Sequence, residues 1–178
     1  MPVVPLQGQT PRMGKDVFLA PNAYVIGNVQ IGDRSSIWYN VTIRGDVFAM
    51  RIGCEVNVQD GSVLHGTYGK CGVILHDRVT IGHLAMLHGC EVGEGSLIGM
   101  GSVLLDNCRI GKNSLVAAGS LIKEGEVFPD GVLIAGRPAV VKRNLTQQEI
   151  EKLQQSADNY LLYKSWYEDS PSTTTEAP

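Results

Sequence analysis

Aliphatic residues recur every six positions along most of this chain, and a period of six restricts the fold more than any other feature of the sequence. Ile31, Ile37 and Ile43 form one triplet, Ile52, Val58 and Leu64 the next, then Leu75, Ile81 and Leu87. Val92, Ile98 and Leu104 follow, and Ile110, Val116 and Ile122 complete the series. Gly often stands directly after the anchor, as at Gly32, Gly53, Gly82, Gly93, Gly99 and Gly111. An amphipathic helix repeats at 3.6 residues and a hairpin meander places turn signals every 8–12, so neither accounts for the spacing. Short strands separated by tight turns do. Three hexads make one eighteen-residue coil of a triangular parallel β-helix, and neighbouring coils pair as parallel strands about 4.8 Å apart. The anchors then stack as an aliphatic ladder inside the prism, whose first, second and third faces carry the first, second and third anchor of each coil.

The pattern resembles the left-handed β-helix family of hexapeptide repeats. The handedness rests on that resemblance, since parallel crossovers are usually right-handed. The expected fold class is therefore mainly β: a left-handed parallel β-helix of hexapeptide repeats with a C-terminal α-helix packed against it. Two breaks interrupt the period, nine residues from Ile43 to Ile52 and eleven from Leu64 to Leu75. The extra residues are expected to leave the coil as loops at one corner of the prism, where solenoids tend to place ligand sites. The hexads end near Gly136-Arg137-Pro138. Beyond them, Thr146-Gln147-Gln148-Glu149 has the form of a capping box, and Ile150, Leu153, Ala157, Leu161 and Leu162 keep helical spacing. The spacing predicts a helix from about Gln147 to Tyr167. The expected organisation is a β-helix with a short lead-in over 1–140, a helical segment over 141–169, and a disordered polar tail over 170–178.

Composition narrows the partners. The 178 residues carry a net charge of -3 and a pI near 5.8, without the basic footprint of a nucleic-acid or anionic-membrane binder. No stretch approaches the roughly 18 apolar residues that span a bilayer, and the N-terminus lacks a basic segment followed by an apolar one. A soluble, cytoplasmic protein is expected. Cys54, Cys71, Cys90 and Cys108 show no Cys-x-x-Cys pairing and read as reduced structural thiols.

Coil bookkeeping groups three of the four histidines. His65 and His88 each follow a third anchor, Leu64 and Leu87. They share one column on adjacent coils, about 4.8 Å apart, and both point away from the core by strand alternation. Two stacked outward imidazoles can converge on one ion at Zn–N distances of about 2.0–2.1 Å. His83 lies two past Ile81 on the preceding face, roughly 16 Å from His88 along an extended chain, too far to share that ion within its own chain. If three prisms pack about a threefold axis, the second face of one meets the third face of the next. His83 of a neighbouring copy then completes a three-histidine set, leaving the open position typical of a catalytic zinc site. His76 belongs to neither column and reads as a surface or packing histidine. Arg44 shares the column of His65 and His88, Asp60 that of His83, and Gln59 stands beside Asp60.

The strings Arg44-Gly45-Asp46, Asn57-Val58-Gln59-Asp60, His65, Ile81-Gly82-His83 and Leu87-His88-Gly89-Cys90 resemble the γ-class carbonic anhydrase family over roughly residues 10–165. The resemblance implies a homotrimer with three metal sites at its interfaces. His65 and His88 match ligands from one subunit, and His83 the ligand from the next. Arg44 matches an arginine that pairs with aspartates at the positions of Asp46 and Asp60 to hold the trimer, and Gln59 and Asn57 match side chains around the metal-bound solvent. The implied metal is zinc, with iron or cobalt as alternatives, and the implied reaction is metal-hydroxide attack on CO2 to give bicarbonate. Where the family's prototype carries two proton-relaying glutamates, this chain has Val47 and Tyr68. Valine relays nothing and a tyrosine phenol ordinarily titrates near 10, so slow hydration is expected. Two other readings remain open at this point, a metal-dependent hydrolase or thioesterase and a hexapeptide acyltransferase-like protein or scaffold.

Overall fold

The computed structural model describes residues 3–168, and the expected tail over 170–178 lies outside them. The chain winds into a parallel β-helix closed by a single C-terminal helix. Its ladders run where the hexads place them. The third face stacks Val25, Ile43, Leu64, Leu87, Leu104 and Ile122 in register. The second stacks Leu19, Ile37, Val58, Ile81, Ile98, Val116 and Ile134, and the first stacks Ile31, Ile52, Leu75, Val92, Ile110 and Phe128. Every anchor from Ile31 to Ile122 is buried, none more than 4% exposed. Glycine after an anchor follows from the closeness of the coils: a Cβ on Gly99 would sit 2.5 Å from the backbone nitrogen of Ala118 on the next coil. Buried serines satisfy the corners, as where Ser62 Oγ donates to the Gly82 carbonyl at 3.0 Å.

The two breaks in the period have different outcomes. Residues Leu64 to Leu75 leave the coil as expected, in a loop pinched by a bridge between Thr67 and Cys71, with Tyr68 at its exposed tip. The extra residues between Ile43 and Ile52 do not form a loop. Thr42–Ile52 is one continuous strand paired with Tyr24–Ile31, and a register shift sets Asp46, Val47, Phe48 and Ala49 against Asn28 alone. A bulge absorbs the surplus and turns the strand round the corner. Gly27, at φ 73°, and Gly45 permit the close crossing, since a Cβ on either would meet the other strand's backbone at 2.7 or 2.5 Å.

Past the last hexad, Val132–Gly136 turns back antiparallel to Ala139–Asn144. The helix Gln147–Glu168 then runs along the second face. Its start is the expected capping box: Thr146 N–H donates to Glu149 at 2.9 Å and Glu149 N–H returns to Thr146 Oγ1 at 3.3 Å. Leu153 and Ala157 are buried against the prism, whereas Leu162 is exposed. Arg78 ties the helix down through Gln154 and Asp158, and Lys164 Nζ donates to the Asp16 carbonyl at 2.6 Å. Among the described residues no helix is long and apolar enough to cross a membrane.

Candidate metal centre

His65 and His88 lie directly opposite each other on paired strands of the third face. Their side chains point outward because Leu64 and Leu87, one residue earlier, point in. His65 Nε2 meets Asp46 Oδ1 at 2.9 Å, and Asp46 is also ion-paired with Arg44. His88 Nδ1 meets Asp106 Oδ1 at 2.6 Å, while Thr67 Oγ1 donates to the other Asp106 oxygen at 2.6 Å. Burial opposes ionisation of both carboxyls, yet their donors prevail. Thr67 and His88 hold Asp106 at about 2, and Arg44 and His65 hold Asp46 below its ordinary value.

With each carboxylate accepting one ring N–H, the tautomers assigned by this network leave lone pairs on the remaining nitrogens. Those nitrogens, His65 Nδ1 and His88 Nε2, face each other at 3.3 Å. Two nitrogens bound to one ion at 2.0–2.1 Å with a tetrahedral angle between them stand about 3.3 Å apart. The donor pair therefore fits a zinc-sized cation, and its second contacts are the carboxylate partners that ligating histidines usually have. Among the described residues, one chain gathers no group of three or more His, Cys, Asp or Glu able to hold a metal.

His83, Asp60, Asn57 and Gln59 lie on or beside the second face. His83 follows Thr80–Ile81, 40% exposed, with Nδ1 2.8 Å from Asp60 Oδ2. Asp60 thus faces His83 within its own chain, and Arg44 faces Asp46. Asn57 and Gln59 are buried and locked in sequence: Gln59 Nε2 donates to Asn57 Oδ1 at 3.0 Å, and Asn57 Nδ2 to Thr80 Oγ1 at 2.8 Å. Tyr68 is 83% exposed. His76, outside both columns, pairs with Glu91.

The chain matches the bacterial transferase hexapeptide (six repeats) family over residues 10–45 and 89–124. It is 39% identical to the carbonic anhydrase of Geobacillus kaustophilus, with 93% of this chain and 90% of the relative aligned. This chain belongs to the γ-class carbonic anhydrase family. It is also 44% identical over 86% of its length to γ carbonic anhydrase 2, mitochondrial, of Arabidopsis thaliana, and spans 57% of that longer protein. A solved hexapeptide transferase family protein of Anaplasma phagocytophilum superposes with a TM-score of 0.87 at 40% identity, covering 93% of this chain and 97% of the other.

Sequence reasoning missed Asp106 and Thr67 beside the paired histidines. Asp106 stands eighteen residues after His88, one coil on, and that spacing was the available signal. Its meaning depends on a corner, where the inside–outside alternation of a strand no longer says which way a side chain turns.

Proposed function

We propose that this chain acts as a metal-dependent carbonic anhydrase-like enzyme that hydrates CO2 to bicarbonate, assembled as a homotrimer. The carrying observation is the 3.3 Å separation of His65 Nδ1 and His88 Nε2, the spacing that two ligands of one tetrahedral ion require. His65 and His88 of one chain and His83 of a neighbouring copy would hold the ion, zinc in the first instance, with Fe2+ or Co2+ as alternatives. When bound, such an ion lowers the pKa of a water toward about 7 and so supplies a nucleophile near neutral pH.

The protein's own residues prepare the site. Asp46 and Asp106 fix ring orientation and tautomer, and raise the basicity of the opposite nitrogens. Arg44, bound to Asp46, would reach Asp60 of the next copy and set the register between prisms. Asn57, anchored by Thr80, holds the Gln59 amide by its N–H end, leaving the Gln59 carbonyl as the end to orient solvent or substrate. Neither Val47 nor the exposed Tyr68 provides a carboxylate relay, so proton export limits the rate.

Metal analysis of protein purified without oxygen, combined with a stopped-flow CO2 hydration assay, tests this reading. The expected result is about one ion per chain and slow hydration abolished by chelation. Fully folded protein that neither retains nor takes up metal would overturn it and favour acyl transfer, for which a hexapeptide fold needs only a histidine base. Stoichiometric metal without hydration would overturn the CO2 assignment and favour a hydrolase or thioesterase.

A further inference from the structure

The chain has 2 Trp, 6 Tyr and 3 Phe, and most of them gather where the C-terminal helix crosses the second face. Trp38, Tyr39, Tyr160, Tyr163, Trp166 and Tyr167 line a cavity of about 220 Å³. The rings do not form a parallel stack. Trp38 meets Tyr160 at 78° and Tyr167 at 82°, and Tyr160 meets Tyr163 at 67°, with centroids 5.3–5.4 Å apart. This edge-to-face packing sets the rings at steep angles to one another around the space rather than in one plane. Trp38, 6% exposed and fixed by donating Nε1–H to Ser36 Oγ at 3.0 Å, forms the floor. Trp166 and Tyr167, 57% and 46% exposed, form the rim.

Asp60 is the one charged side chain among the described residues lining this cavity. Its carboxylate accepts the Tyr39 N–H at 3.2 Å and faces His83. Burial, joined by the charge of Asp60, raises the Tyr39 phenol and pushes Tyr160 up to about 12, so the phenols stay neutral in a region of negative potential. Aromatic rings lining several sides with a carboxylate beside them suit a large, weakly hydrated cation held within about 6 Å of the ring centroids. An anion would meet like charge, and a neutral apolar group would desolvate Asp60 without answering it.

We propose that this cavity binds the quaternary ammonium group of a small molecule, with the cation seated against the rings and its charge balanced by Asp60. The cavity shares Asp60 with His83, the third residue of the proposed metal set, but its walls belong to other residues, and binding there does not depend on the proposed reaction. In the proposed trimer Arg44 of a neighbouring copy also approaches Asp60, so the aromatic walls carry most of the affinity.

Both tryptophans of the chain line the cavity, so intrinsic fluorescence reports on it directly. The full chain, in its native assembly, is titrated with choline and with dimethylbutanol, the neutral carbon isostere. The expected result is a saturable change in emission with choline alone, and the same Kd by calorimetry. Trp166→Leu, on the exposed rim, should raise that Kd by about threefold to thirtyfold. No saturable response to choline, an equal response to the neutral alcohol, or an unchanged Kd in Trp166→Leu would each overturn the proposal. So would binding seen only in Arg44→Ala protein, since the neighbouring guanidinium would then be the cavity's occupant.

Discussion

Asp106 Oδ1 lies 2.6 Å from His88 Nδ1 although the two residues belong to successive coils of the prism. The contact fixes which His88 nitrogen faces His65, and Thr67 fixes Asp106 in turn. Asp106→Asn should therefore weaken metal binding by about 10–100-fold while leaving the fold intact. Competition against a chelator of known affinity measures it. An unchanged affinity would mean that the carboxylate does not orient the ligand.

Arg44 should control assembly. In one chain it is 42% exposed and bound to Asp46, so its full effect arises only when a second prism covers the pair. Arg44→Ala should then leave buried carboxylates unpaired, at a cost of about 3–5 kcal/mol per interface. Light scattering should find the variant dissociated at concentrations where the parent is trimeric. A stable Arg44→Ala trimer with full metal content would contradict the assignment.

Proton export should limit turnover. Tyr68 sits at an exposed loop tip, and Val47 is aliphatic. Imidazole buffer should therefore raise kcat much more than kcat/KM, since it replaces a missing relay without touching attack on carbon. Tyr68→Glu should reproduce part of that gain. Fast hydration in weak buffer, indifferent to imidazole, would mean that another group carries the proton.

These expectations rest on features of unequal legibility. The ladders were readable because an inward aliphatic every six residues leaves the backbone one arrangement, and the pairing of His65 with His88 follows from that of Leu64 with Leu87. The strand Thr42–Ile52 was not, because a bulge and a loop lengthen the period by the same means, and the choice turns on backbone crossing at Gly27 and Gly45. Asp106 sits at a corner, outside the alternation that located the histidines. The aromatic cavity joins Trp38 and Tyr39 to Tyr160–Tyr167 through the path of the helix across the second face, which local spacing does not encode.

The helix start should respond to acid. Arg143 and the Thr146 backbone N–H hold the Glu149 carboxyl at about 2, against an ordinary 4.5. A carboxylate pKa depressed by folding contributes stability above its unfolded value, and that contribution is lost as pH falls through the folded one. Amide exchange in the first turn of Gln147–Glu168 should accordingly speed up between about pH 4.5 and pH 2 relative to Glu149→Gln, after correction for intrinsic rates. Parallel profiles for the two proteins would contradict this.

The proposed metal site is divided between two chains, and mixed trimers separate its two halves. His83→Ala chains keep His65 and His88, whereas His88→Ala chains keep His83. Each variant alone should trimerise without binding metal. In trimers refolded from an equal mixture, about one interface in four should join an intact His65–His88 pair to an intact His83, by random cyclic assembly. Recovery of about a quarter of the parent's metal content is expected. Mixed trimers that recover none would contradict it.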